Sequence, residues 1–186
     1  MADTATLRPP VRKRFTVTDV EAMIRAGVIE EGGPEELLDG EIWVAPAEGG
    51  PHVDLKTWLN ARLVKGAPET IGVACDSTLR LQESHAPSPA FYLFPASMRA
   101  SQVRGPDVLL LIEIAETSLR ADLAIKGPKY REYGVREYWA VDIAARVTHV
   151  HRRDGAWPDA TPVPFDADIA PQCAPELKLR MTDSGV

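Results

Sequence analysis

One stretch constrains this chain more than any other. Asp107-Val-Leu-Leu-Leu-Ile-Glu-Ile114 is apolar at nearly every position. It lacks the polar–apolar alternation of a half-exposed strand, so it reads as a central strand covered on both faces. The next segments agree with that. Thr117 or Ser118 can cap a helix running to about Tyr133, with Leu123, Tyr130 and Tyr133 facing inward, a kink or break at Pro128 and a stop at Gly134. Residues 137–142 and 146–151 then read as two strands joined as a hairpin. A strand, a helix and a further strand predict a parallel crossover over 107–142.

The earlier half supplies more of the same layers. Residues 1–14 read as a loose arm with Pro9, Pro10 and Arg12-Lys13-Arg14, either a solvated tail or an arm that touches phosphates. Thr18, with Glu21 three residues later, predicts a helix start, and Val20, Met23 and Ile24 give it an apolar stripe that ends at Gly27. Two apolar runs flank Asp39-Gly40, which predicts a hairpin over 36–44 because both turn residues tolerate positive φ. Leu55, Trp58, Leu59 and Leu63 share one face of a helix over 51–65. Strands are expected at 72–75, 78–82 and 91–94, with 83–89 as a connection. The tail from 154 holds five prolines and reads as an extended wrap with one edge strand at most. The whole is a mixed β-sheet flanked by helices, α/β or α+β, with a core domain over 15–153 and a proline-rich extension over 154–186.

Composition narrows the function. With 186 residues, 45% of them hydrophobic, the chain can bury one sizeable core and is no disordered protein. Two cysteines far apart, Cys75 and Cys173, exclude a disulfide scaffold and a multi-cysteine zinc site, and suit a reducing cytoplasm. No apolar run approaches the roughly 20 residues of a membrane span, and the basic start has no apolar stretch behind it to make a secretion signal. The net charge is −6, so a nucleic-acid role has to rest on a local patch. One candidate lies between Thr117 and Arg136, where Arg120, Lys126, Lys129, Arg131 and Arg136 face only Asp122 and Glu132. A solvated helix face explains that patch equally well.

Two residues carry potential chemistry. Glu113 sits in the apolar strand, where a carboxylate is costly to bury without a partner, a proton or a metal. Lys126 lies thirteen residues later, in the helix that leaves this strand, so the two side chains can converge. The pair reads as an ordinary ion pair or as a catalytic carboxylate and lysine. No Gly-x-Ser-x-Gly turn is present to support an esterase.

Read together, the segments Glu36-Leu-Leu-Asp-Gly-Glu-Ile, Pro51-His52, Pro89-Ala90-Phe-Tyr-Leu-Phe-Pro95, Gly105-Pro-Asp-Val-Leu-Leu-Leu-Ile-Glu-Ile, Asp122-Leu-Ala-Ile-Lys126 and Gly134-Val-Arg-Glu-Tyr-Trp-Ala-Val-Asp142 resemble the Uma2 family over roughly residues 14–153. That resemblance implies a restriction-endonuclease-like fold of the PD-(D/E)XK nuclease superfamily. It implies Glu113 and the carbonyl of Ile114 as ligands of Mg²⁺ or Mn²⁺, and Lys126 as the catalytic lysine displaced to the helix. Glu36 and His52 are implied as auxiliary residues. Asp122 and Tyr130 match recurring positions that capping or packing explains as well. The implied substrate is a phosphodiester of nucleic acid, DNA favoured, and the implied assembly is a homodimer. Its interface would be the edge of the 137–151 hairpin or the tail. One position departs: where the family has the aspartate of a Pro-Asp pair, this chain has Ala90, which offers a metal no oxygen. Metal binding is therefore expected to be weakened, which leaves an impaired nuclease or an inactive module acting by nucleic-acid or protein contacts. Asp107 cannot replace the missing carboxylate, since six strand residues put it about 20 Å from Glu113. Asp76 has no sequence signal placing it near.

Overall fold

The computed structural model describes residues 11–153 and 160–186. Pro9, Pro10 and most of the expected arm lie outside the described residues, as does the start of the expected extension, residues 154–159.

Helix α1 spans Val17–Arg25. Its cap is Thr16 rather than Thr18: the Thr16 hydroxyl accepts from the Asp19 N–H, and the Asp19 carboxylate accepts from the Thr16 N–H. A shorter acid one turn in closes the box that Glu21 was expected to close. Strands β1, Glu35–Leu38, and β2, Glu41–Val44, form the expected hairpin. Its turn holds Asp39 at φ 50° and Gly40 at φ 78°. Helix α2, Gly50–Gly66, buries Leu55, Leu59 and Leu63 along one stripe.

The main sheet has six strands in the order β3-β4-β5-β6-β7-β8: Ile71–Cys75, Phe91–Pro95, Leu110–Ala115, Glu137–Asp142, Val147–Arg152 and Thr161–Pro164. Only the β5–β6 pair is parallel, with Ile112 beside Trp139. The other four pairs are antiparallel. Every residue of β5 and β6 is buried. One face of the sheet packs Phe91, Leu93, Leu110, Ile112 and Trp139 against α2, and Phe165, Ile169, Leu179 and Met181 join that layer. The other face packs Tyr92, Leu111, Tyr138 and Ala140 against Tyr130 and Leu79.

Three expectations are corrected. Residues 78–82 do not pair as a strand of the sheet. Leu79 and Leu81 are buried in alternation, but their N–H groups bond the carbonyls of Pro87 and His85. Pro87 and Pro89 have no N–H to return, so no ladder grows there. The central strand starts at Leu110, because Gly105–Asp107 coils into a 3₁₀ turn in which Asp107 accepts from the Arg104 N–H at 3.0 Å. Pro128 does not break the helix. Segment α3, Leu119–Ala121, runs through a π-helical turn, Asp122–Lys126, into α4, Gly127–Glu132, with helical backbone at every junction. In that turn the Gly127 N–H reaches the Asp122 carbonyl five residues back. A side chain at Gly127 would press on the Tyr138 ring at 3.3 Å.

The last described segment closes the sheet. β8 is the edge strand expected in the tail, and it covers β7 from Val147 to Val150. The 137–151 hairpin therefore has no free edge there, which removes it as the expected dimer interface. Among the described residues no helix is long and apolar enough to cross a membrane.

Candidate active site

Beyond the end of β5 the sheet opens into a cavity of about 370 Å³. Its walls come from β1, the stretch after β2, the start of α2, β5 and the π-helical turn. Glu36, His52, Ala90, Glu113, Ile114 and Lys126 all line it, so these six residues reach one space, together with Asp122, while Tyr130 stands behind the lining. The register explains two of them. Phe91 lies opposite Ile112 in the antiparallel β4–β5 pair, and continuing it by one step sets Ala90 opposite Glu113.

Lys126 is the hub. Its Nζ lies 2.8 Å from Glu36 Oε2, 3.2 Å from Glu113 Oε1 and 3.8 Å from Asp122 Oδ1. These four side chains are between 3% and 12% exposed, which makes the cluster an interior one. Each carboxylate is also held by a second group. The Tyr130 hydroxyl donates to Glu113 at 2.6 Å. The Ser118 hydroxyl donates to Asp122 at 2.7 Å. The Ser88 N–H donates to Glu36 at 2.7 Å. Ser118 thus serves Asp122, not the helix N-terminus it was expected to cap.

Burial decides the protonation here. It pushes the Glu113 carboxyl up to about 7, against the pull of Lys126. Burial raises Asp122 as well, against its bond from Ser118. For Lys126 burial works the other way, but Glu113 and Glu36 outweigh it and lift the ammonium above the ordinary lysine range, so it stays charged. A carboxyl raised from about 4.5 to about 7 holds its proton in the fold over a window where the unfolded chain has lost it. The folded state binds more protons there, so the Glu113 contribution to stability falls as pH rises from 4.5 to 7. Glu113→Gln is expected to flatten that part of the stability–pH curve. Equal slopes for the two proteins in chemical denaturation between pH 5 and pH 7.5 would refute the assignment.

The cavity is also lined by His52, whose Nε2 is 3.4 Å from Glu48 Oε1, and by Glu48 and Asp76, which Lys56 bridges from behind the lining at 2.6 Å and 3.0 Å. Burial lowers His52 despite Glu48, which favours its neutral form. Asp76 does reach this cavity, held by its N–H on the Ala90 carbonyl at 3.2 Å. Nothing in the sequence signalled that, because the approach depends on β3 ending beside residue 90. The spacing of Ser118, Asp122 and Lys126, four residues apart each time, does signal one helical face. The basic patch is smaller than the sequence suggested: Lys126 points into the cluster and Lys129 is paired with Asp39 and Glu132 at 3.2 and 3.1 Å.

A divalent ion such as Mg²⁺ takes about six oxygens in a tight shell, carboxylates among them. The residues present do not fit one. Among the described residues no three of His, Cys, Asp and Glu stand in a ligating arrangement. The Ala90 side chain has no oxygen to give, Glu113 Oε1 is shared by Lys126 and Tyr130, and an ammonium already stands between the carboxylates.

Known proteins share this geometry's frame. A family sequence model, Uma2, described as "Putative restriction endonuclease", matches residues 19–182. A crystal structure described as that of a "putative nuclease belonging to DUF820" from Anabaena variabilis superposes with a TM-score of 0.73 at 16% identity, covering 94% of this chain and 97% of that one. The type IIG restriction endonuclease BpuSI matches over 62% of this chain and 14% of its own, at 15% identity and a TM-score of 0.42. No curated protein matches. The mixed sheet with its flanking helices is thus the restriction-endonuclease-like fold.

Proposed function

This chain belongs to the Uma2 family, and from that premise we propose that it is a nuclease-type protein acting on phosphodiesters of nucleic acid, DNA by preference, whose hydrolytic step is impaired by alanine at 90. The observation that supports this reading is the meeting of Glu113, Lys126 and Ala90 in one cavity. Glu113 and Lys126 are the catalytic pair in this reading, with Glu36 and His52 auxiliary. The Lys126 ammonium, kept charged by its neighbours, presents positive charge where a phosphoryl oxygen would gather negative charge. Mg²⁺ or Mn²⁺ is the cofactor of such chemistry, to which Glu113 and the Ile114 carbonyl would contribute once a second carboxylate stands at 90. The reading includes a cytoplasmic homodimer, since two copies can cut two strands and Cys75 and Cys173 are both free thiols.

A second reading keeps the fold, drops the chemistry and leaves binding of nucleic acid or protein. Closure of three carboxylates on one lysine favours it. Supercoiled plasmid incubated with Mg²⁺ or Mn²⁺ separates the two. Ala90→Asp is expected to nick or linearise it about 100-fold faster than the wild type or more. Adding Glu113→Ala or Lys126→Ala is expected to abolish the gain. Silence of every variant, with DNA still retarded on a gel, would establish the binding module instead.

A further inference from the structure

A second cavity, of about 490 Å³, adjoins the first and opens between α1 and the β1–β2 hairpin. The two share Glu36, residues 45–48, Asp76 and Ser88 as a common wall. Helix α1 turns its apolar stripe, Val20 and Ile24, to this space, where Ile29, Pro34 and Leu37 continue it. No residue of α1 is fully buried, although a helix of nine residues is marginal by itself and relies on a packed face. The groove is therefore an apolar seat that the fold leaves open.

Its charge is one-sided. Glu21, Glu30, Glu35, Glu36, Glu48 and Asp76 line it, against Arg80. Arg80 is already paired with Glu21, Lys126 with Glu36, and Lys56 with Glu48 and Asp76. Glu30 and Glu35 meet no cation among the described residues. The Oε2 of the half-buried Glu35 is shielded from water and accepts no hydrogen bond there. An acceptor so placed calls for a donor. The surplus of carboxylates repels a phosphate backbone and attracts ammonium or guanidinium groups. We propose that this groove docks a short basic segment of a protein partner, one in which Lys or Arg alternates with aliphatic residues. The aliphatic side chains lie against Val20, Ile24 and Ile29, and the basic ones meet Glu30 and Glu35, as alternate side chains of an extended peptide face opposite ways. The inference goes beyond the proposed function and uses none of its chemistry.

The test is fluorescence anisotropy of a labelled hexapeptide of alternating lysine and leucine, titrated with the full chain. The wild type is expected to bind it saturably, at least about tenfold tighter than a lysine–serine or a glutamate–leucine hexapeptide, and to gain thermal midpoint in its presence. Ile24→Glu removes apolar contact but adds negative charge. It is expected to weaken binding at least about tenfold, whereas mere attraction to an acidic surface would strengthen it. Should Ile24→Glu fail to fold, Ile24→Ser removes the same contact. Glu30→Gln with Glu35→Gln keeps the shape and is expected to weaken binding about threefold or more. Absence of saturable binding by the wild type would overturn the proposal, as would equal affinity for the lysine–serine peptide or undiminished binding by the folded Ile24 variant. Two further results would assign the groove to another occupant and overturn it too. One is tighter binding of a single-stranded DNA hexamer that the Ile24 variant loses. The other is self-association of the chain that this variant abolishes. Plasmid cleavage by Ala90→Asp can succeed or fail whatever the peptide does, so the two readings fail separately.

Discussion

Glu137→Ala is expected to be among the most damaging single substitutions outside the cavity. Glu137 is fully buried at the start of β6. Its Oε1 accepts from Trp139 Nε1 and Arg152 Nε, both at 2.9 Å, and its Oε2 accepts from the Gln172 N–H at 2.7 Å. One carboxylate thus joins β6, the neighbouring β7 and the returning tail. Alanine would leave an indole N–H, a backbone N–H and a guanidinium without their acceptor. Breaking a buried pair by removing one partner costs about 3–5 kcal/mol. Because the Arg152 side chain is 38% exposed and can find water, the low end, about 3 kcal/mol, is expected. For a chain of this length that lowers the thermal midpoint by roughly 10 °C. Glu137→Gln keeps shape and an acceptor and is expected to lose less than half as much. A loss below about 1 kcal/mol in Glu137→Ala would mean that the tail does not lean on this carboxylate.

Lys126→Ala is the second large effect, and its signature is pH dependence. At neutral pH it leaves Glu36, Glu113 and Asp122 without their shared cation, again at about 3–5 kcal/mol. Protonation relieves that repulsion. Glu113 and Asp122 are raised by burial already, and losing the ammonium removes an influence that lowers both. They therefore take up protons more readily, and the penalty is expected to shrink as pH falls from 7.5 towards 5. Urea denaturation of wild type and variant at those two values measures it. An equal penalty at both would show that lost packing of the lysine stem, not charge, is the cause.

Much of the frame was legible because it is written in local signals. The apolar run ending at Ile114 made the central strand, the Asp39-Gly40 pair made the hairpin, and Leu55, Leu59 and Leu63 fixed the inner face of α2. Thr18 misled because Thr16 stands two residues earlier with an acid at the same spacing. Residues 78–82 misled because alternation shows which side chains are buried and not which backbone can pair, and here the facing prolines cannot donate. At the cavity the sequence marked Glu113 and Lys126 through the oddness of a carboxylate in an apolar strand. It did not mark Glu36 as an equal partner of the lysine, since that contact spans ninety residues. Nor did it weigh Ser88, whose part is played by its backbone.

The π-helical turn makes residue count matter. From Asp122 to Lys126 the chain winds wider than an α-helix, and the Asp122 carbonyl serves both the Gly127 N–H and the Tyr138 hydroxyl at 3.2 Å. Dropping one residue without a compensating change of winding would turn whatever precedes it by up to about 100° relative to Tyr130. Asp122 and Ser118 would swing off the space that Lys126 fills. The thirteen-residue interval between acid and amine is thus a dimension of the site, as fixed as any of its side chains: this loop-to-helix passage can change its letters more readily than its length.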